Sequence, residues 1–407
     1  MSLLIHELKD ICKIKSGKRL PKGADFSTQP TKFKYIRARD IKKGKINAED
    51  LVYISEEVQK KIERYIVNTN DIVITIVGAS VGDVAYVTQE FDGINLTENA
   101  VRLTDFNENV NSKYLMYILN SEKYWELMQQ IAGGSAQPKL GIYKIESIKV
   151  TLPNIKLQNR IVDILSNYDN LIENNQKQIK LLEEAAQRLY KEWFVDLHFP
   201  GYESANITDG VPKGWKKGQA QDFFDITIGK TPPRAESQWF TTSEEGVPWI
   251  SISDMGNSDA FIFTTSECLT SDAIQKHNVK IIPKGTVLLS FKLTVGRVSI
   301  ASTEMCTNEA IAHFKISDDN TREYLYCYLK NFHYDSLGST SSISKAINSK
   351  IVKAMPIVLP DDSLLEKFSK VVAPLFEQIF VKQKEIIKLT EVRDRLLPKL
   401  MSGEIGV

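Results

Sequence analysis

The chain has 407 residues, 42% of them hydrophobic and 25% charged, and a formal net charge of +1. This is ordinary globular composition at a length that suits about two or three domains, and it excludes a polycation, so nucleic acid is held only if basic residues gather on one face or a partner adds charge. No apolar run reaches the ~18 residues of a membrane span. MSLLIHELKD lacks the basic start and apolar core of a signal peptide. Cys12, Cys268, Cys306 and Cys327 form no CxxC pair, which argues against a disulfide scaffold or a zinc site. Buried reduced thiols in a cytoplasmic protein are the expectation.

In chain order, the sequence repeats itself. Lys15-Ser-Gly-Lys18 has a counterpart in Thr227-Ile-Gly-Lys230, each followed by proline. Tyr35-Ile-Arg-Ala-Arg-Asp-Ile41 matches Trp249-Ile-Ser-Ile-Ser-Asp-Met255, and alternation in the first copy predicts Arg37 and Arg39 on one strand face. Two β-branched runs ending in Val-Gly, Asp71–Gly82 and Gly285–Gly296, predict buried strands and a tight turn. Asn99-Ala-Val101 aligns with Glu309-Ala-Ile311, and Tyr114–Leu119 with Tyr324–Leu329 as a short helix. Gly133–Gln137 and Gly338–Ser342 are small-residue loops, and each copy closes on Leu-Pro, at Pro153 and Pro360.

A long stretch without glycine follows each of those prolines. From Leu157 to Phe194 the run is rich in helix formers and contains no proline, and an unbroken helix there is roughly 57 Å long. Its apolar spacing alternates three and four, a coiled-coil seam through Ile172, Asn175, Ile179, Leu182 and Leu189. The second run has its seam at Ile379, Lys382, Ile386, Leu389 and Leu396, and a constant offset of 207 superimposes the two. Asn175 and Lys382 fall at the same step, where a polar residue fixes register. Pro374 predicts a kink, or a coiled coil that begins cleanly only near Leu375.

The expected class is α+β. Residues 1–153 form a first module, 154–195 a central long helix and 196–214 a turn-rich linker. Residues 215–360 form a second module and 361–407 a C-terminal long helix. Two similar halves that each end in a helix can pair those helices antiparallel within the chain, about an approximate two-fold axis.

Catalytic motifs are missing. Phe224 stands where a P-loop ending in Gly229-Lys-Thr231 requires glycine, there is no GxSxG or HExxH, and the five histidines are scattered. The candidate contacts are polar residues beside glycines. In the first module these are Lys15, Lys18, Arg19, Lys34, Arg37, Arg39, Ser135 and Gln137. In the second they are Lys230, Thr231, Arg234, Ser251, Ser253, Lys292, Ser341 and Lys345. Lys and Arg in this density suit phosphates, and Arg suits the guanine edge. A solvated basic surface fits the same composition.

The opening Gly17-Lys18 and Gly229-Lys-Thr-Pro232, the Leu-Pro ends followed by LQNRIVDIL and LLEKFSKVV, and the endings RLYKEWF and RLLPKLMSGEI carry a resemblance. Over essentially its whole length the chain resembles the specificity subunits of Type I restriction–modification systems. The resemblance implies two target recognition domains, each reading one half of a bipartite double-stranded DNA site, with the coiled coil setting the spacer. It implies a non-catalytic chain without cofactor of its own. Two methyltransferase subunits holding S-adenosylmethionine dock on it, and restriction subunits holding ATP and Mg²⁺ join them. The specificity part of a Type IIB-like restriction enzyme and a structural coiled-coil adaptor without DNA binding are the alternatives.

Overall fold

The structure is a computed structural model that describes residues 4–406 except 50, 134–137, 209, 244 and 338–346. The chain forms two compact units, Met1–Asn170 with Glu391–Val407, and Leu171–Thr390.

In the first unit an antiparallel sheet runs in the order Lys13–Ser16, Ala100–Thr104, Ile72–Thr75, Val84–Tyr86. Ile72, Val73 and Ile74 are wholly buried, as expected for β-branched residues in a sheet covered on both faces. A smaller sheet places Lys34–Ile36 between Val52–Tyr53 and Asn95–Leu96, the last pairing parallel. Leu4–Glu7 closes the module against Lys149–Leu152.

The second unit repeats this plan. Its main sheet runs Asp225–Ile228, Ile311–Lys315, Val287–Ser290, Val298–Ala301, with Phe261–Ile262 added at the edge. Val247–Ile250 pairs parallel with Cys306–Thr307, and Lys216–Gln219 closes against Pro356–Leu359. The segment between the two modules is not featureless, since Ile207–Thr208 and Val211–Pro212 pair as a short hairpin.

The central helix is Ile155–Tyr190, continued by a wider π-helical turn, Lys191–Val195, and the C-terminal helix is Asp362–Ser402. They pair antiparallel. In the first unit Arg393 reaches Asp169 at 2.8 Å, and Leu400 is buried with Leu157, Ile161 and Leu165. In the second, Asn175 donates to Glu385 at 3.1 Å and Trp193 meets Phe368 at 5.7 Å between centroids. Ile172, Ile179 and Ile379 are buried, and Leu182, Leu189, Ile386, Leu389 and Leu396 are half-buried.

Two positions of the second helix bear on the expectations, and the one at Pro374 is corrected. Lys382 is only half-buried, whereas its neighbour Gln383 is buried, accepting from Phe261 N at 3.0 Å and donating to Phe261 O at 3.1 Å. Gln383 thus ties that turn of the helix to the edge strand of its own module. Pro374 does not delay the helix, which starts at Asp362. Pro374 lies on an exposed face, where water can satisfy the carbonyl left without its amide, while Val372, Phe376 and Ile379 are buried on the other side.

Each module grips the central helix through a tyrosine. Tyr117 donates to Asp169 in the first unit, and Tyr326 donates to Glu183 at 2.6 Å in the second. Burial of the hydroxyl is the first cause that raises both tyrosine pKa values, with the partner carboxylate adding to it. Cys12, Cys306 and Cys327 are buried free thiols and Cys268 is half-buried, and burial pushes the Cys12 thiol up to about 12. Among the described residues no helix is long and apolar enough to cross a membrane.

Phe376→Ala, which empties a site buried against Tyr326 and Phe261, is expected to cost about 3–5 kcal/mol in chemical denaturation. Pro374→Ala is expected to cost nothing, because it restores a helical amide on an exposed face.

Candidate nucleic-acid interface

The Gly-Lys pair of each module crosses the end of the neighbouring strands at very short range. Gly17 N donates to Ala100 O at 3.1 Å and Lys18 N to Leu96 O at 2.8 Å. A Cβ on Gly17 would stand 2.0 Å from Thr97 O. In the second module Gly229 N donates to Ile311 O at 3.1 Å and Lys230 N to Thr307 O at 2.9 Å, and a Cβ on Gly229 would stand 2.0 Å from the Thr307 hydroxyl. Only glycine permits this approach of backbone to backbone.

An aromatic side chain then fixes the loop. The Tyr35 hydroxyl donates to Lys18 O at 2.7 Å, and the Trp249 indole donates to Lys230 O at 3.3 Å. The residue after the lysine turns to a glutamate. Arg19 Nε donates to Glu98 at 2.7 Å, and the Thr231 hydroxyl donates to Glu309.

Further turns join the same cluster. Thr97 N donates to Ile36 O, and Asn308 N to Ile250 O, both at 3.0 Å. This brings the Arg37–Arg39 and Ser251–Ser253 turns alongside. The hairpin loops after Thr75 and Ser290 are tied in through Ile76 N to Asn99 O at 2.8 Å and Phe291 N to Ala310 O at 2.9 Å. Each module therefore gathers loops from several strand ends at one place.

The electrostatics are mixed rather than uniformly basic. Lys18, Lys230 and Lys292 are exposed, as are Arg19 and Arg39, whose side chains are 80% and 71% accessible. Burial pushes Glu98 up, but the Arg19 and Thr97 hydrogen bonds outweigh it and hold the carboxyl below its ordinary value. Burial likewise raises Glu309, and the Thr231 hydroxyl with the charges of Lys292 and Arg234 overcomes it. Arg234 is immobilised, its guanidinium 4.1 Å from the Phe240 ring centroid and 4.5 Å from that of Trp249, with Nη1 on both Glu267 oxygens at 2.9 and 2.8 Å.

The buried His313 lies beneath the second cluster, with Thr227 Oγ1 3.0 Å from Nδ1 and Thr307 Oγ1 2.7 Å from Nε2. Burial, helped by the Lys315 charge, lowers its pKa to about 4. A neutral ring that uses both nitrogens in this way positions Thr307 under Gly229. Among the described residues no group of His, Cys, Asp and Glu could hold a metal ion. The site offers exposed cations for phosphates, hydroxyls for either donor or acceptor roles, and carboxylates able to accept from the cytosine amino group.

A family model described as the Type I restriction modification DNA specificity domain matches this chain twice, over residues 5–184 and 212–391. The chain belongs to that family. It is 28% identical over 312 residues to the Type I restriction enzyme MjaIX specificity subunit of Methanocaldococcus jannaschii, covering 74% of the chain and 70% of the relative. It is 24% identical to the Type I restriction enzyme HindI specificity subunit of Haemophilus influenzae, across 96% of the chain and 97% of the relative. The crystal structure of a Type I restriction–modification system S subunit from M. genitalium has the same fold, with a TM-score of 0.57 at 16% identity over 98% of this chain and 96% of that one.

Of the contact residues expected from the sequence, Lys18, Arg19 and Arg39 fall in the first cluster, and Lys230, Thr231, Arg234, Ser251, Ser253 and Lys292 in the second. Lys15 lies back along its strand, bound to Asp105 at 3.1 Å, and Lys34 begins a strand opposite Tyr53. Ser135, Gln137, Ser341 and Lys345 lie outside the described residues.

Arg37 and Arg39 do not share a strand face. The strand ends at Ile36, and Ala38–Asp40 is a 3-10 turn. Arg37 grips the buried Asp40 through Nε at 3.0 Å and Nη2 at 2.8 Å, which withdraws it from base contact. Ser251 is likewise a helix cap, accepting from Asp254 N at 3.2 Å. Asp40 and Asp254 each accept from the backbone three residues earlier at 2.8 Å, which accounts for their shared place in the repeat.

Two alignments shift by one residue. Glu309 corresponds to Glu98 rather than Asn99, as their contacts with Arg19 and Thr231 show. Thr75 corresponds to Ser290, since Gly82 N and Gly296 N return to their carbonyls at 2.9 and 3.0 Å, so the second hairpin loop is one residue shorter. Glu98, Glu309, Phe240 and Glu267 are members of the site that motif matching passed over. A match centred on the glutamates would have found the first two.

The His313 ring gives a pH test. Its folded pKa, about 4, lies below the ordinary 6.5, so between these values the unfolded chain holds a proton that the folded chain does not. Its contribution is present above pH ~6.5 and is lost as pH falls towards 4, about 3 kcal/mol in all. His313→Gln is expected to flatten that part of the stability profile measured by chemical denaturation between pH 7 and pH 4.

Proposed function

We propose that this chain is the DNA specificity subunit of a Type I restriction–modification complex, and that each module reads one half of a bipartite duplex site. The observation that carries the reading is the double match of the specificity-domain family onto two modules that build the same loop cluster with different side chains. Arg19 and Arg39 stand in one cluster where Thr231 and Ser253 stand in the other, around a glutamate common to both, Glu98 and Glu309. A shared frame with different edge-reading groups suits two different half-sites.

The chain itself performs no bond chemistry in this proposal. Two methyltransferase subunits, which bind S-adenosylmethionine, dock on it, and restriction subunits using ATP and Mg²⁺ complete the complex. The paired long helices set the gap between half-sites.

Expression with its methyltransferase partner, in a host without adenine methylation, is expected to produce N6-methyladenine in a two-part motif with a fixed gap, read by single-molecule sequencing. A continuous short motif, or no methylation, would count against the proposal. Inserting one heptad into each helix, after Lys177 and after Lys384, adds about 10 Å per helix, or roughly three base pairs of duplex. The gap is expected to lengthen while both half-sites stay unchanged. An altered half-site with an unchanged gap is the result that contradicts the spacing role.

A further inference from the structure

The hairpin loop between Val287–Ser290 and Val298–Ala301 carries a leucine where neither backbone nor burial favours one. Leu293 is 92% exposed and has φ of 60°, the left-handed region that side chains with a Cβ avoid. The first module has glycine at this step, Gly78, with φ of 97°.

The loop is braced, not slack. The Ser290 hydroxyl donates to Thr294 O at 2.6 Å and accepts from Arg297 N at 3.0 Å. The Arg297 guanidinium donates to Ile252 O, and Gly296 packs so closely on Tyr334 that a Cβ there would stand 3.1 Å from the ring. The loop holds the side chain away from every core. Phe291 N donates to Ala310 O, next to Glu309, at 2.9 Å, and Lys292 beside the leucine is exposed, which sets the loop at the cation-bearing cluster. Strain maintained by a rigid frame at such a place marks a contact residue.

We infer that Leu293 is the apolar base reader of the second module, packing on the 5-methyl group of a thymine in the major groove. The inference rests on the DNA-reading function proposed above. An aliphatic side chain has no donor or acceptor, and the thymine methyl is the apolar group that base edges present in that groove. A wedge pushed between base pairs is the other way a leucine meets duplex DNA.

The test uses the full chain with its methyltransferase and duplexes carrying the mapped site, in which each thymine in turn is replaced by uracil. For the wild type, one replacement in one half-site is expected to slow methylation about fourfold, the worth of one buried methyl group. Leu293→Gly is expected to be indifferent to that replacement, to leave the other half-site unchanged, and to melt no lower than wild type, because glycine suits the left-handed backbone. A wild type indifferent to every uracil, or a Leu293→Gly variant that keeps the response, overturns the inference. So does 2-aminopurine fluorescence that brightens at a base step with wild type but not with Leu293→Gly, which identifies a wedge. A wild type without any bipartite methylation overturns the function proposed above together with this inference. A bipartite wild type that Leu293→Gly leaves unaltered overturns only the leucine reader.

Discussion

The packing of the long helices on two partners at once is the constraint on which the second unit depends. Phe376 lies 5.1 Å from Tyr326 and 6.3 Å from Phe261, and Phe368 lies 4.9 Å from Phe194, which in turn is 4.9 Å from Tyr324. One side of each helix is thus buried against the other helix and an adjoining side against the module. An isolated seam of half-buried leucines is a weak hold, whereas large aromatic rings buried on two sides bring both area and a preferred orientation. The module's position along the helix is fixed by these rings and by the Gln383 hydrogen bonds to Phe261, not by the heptad pattern alone.

Within each module the backbone crossing at Gly17 or Gly229 plays a comparable part at smaller scale. It is made of main-chain hydrogen bonds, an aromatic donor and a capping aspartate, so it is indifferent to most of the side chains at its rim. Arg19 in one copy and Thr231 in the other satisfy the same glutamate position. A frame built this way tolerates exchange of the residues that face outward, which is the property a reader of variable sequences requires.

Much of this was legible in the sequence, for physical reasons that differ by element. The helices announced themselves by a repeated apolar period over many turns, and the sheets by β-branched runs such as Ile72–Thr75. The glycines, which marked the crossing loops, stood out because no other residue fits there. What escaped was register and role. Alternation suggested a strand through Arg37 and Arg39, but an aspartate side chain that captures its own backbone ends the strand first. Glu98 was hidden by a one-residue difference in the spacing of small polar loops, where no periodicity guides alignment. Pro374 points to a late start because local preference carries no information on which face its missing amide takes, and that face is exposed. Leu293 gave no signal as sequence, since a leucine in an apolar run reads as core until its backbone angle is known.

The first unit is discontinuous along the chain, joining residues up to Asn170 with those from Glu391 onward. Leu400 completes a core that contains Leu157, Ile161 and Leu165. During synthesis the module made first therefore waits, with that apolar flank uncovered, until the whole second module has left the ribosome. Its final closure is a contact between parts of the chain more than two hundred residues apart, of the non-local kind that slows folding. Premature termination anywhere in the last helical turns injures the beginning of the protein more than its neighbouring segment, and a truncated chain exposes a sticky N-terminal half to aggregation or to cellular proteases.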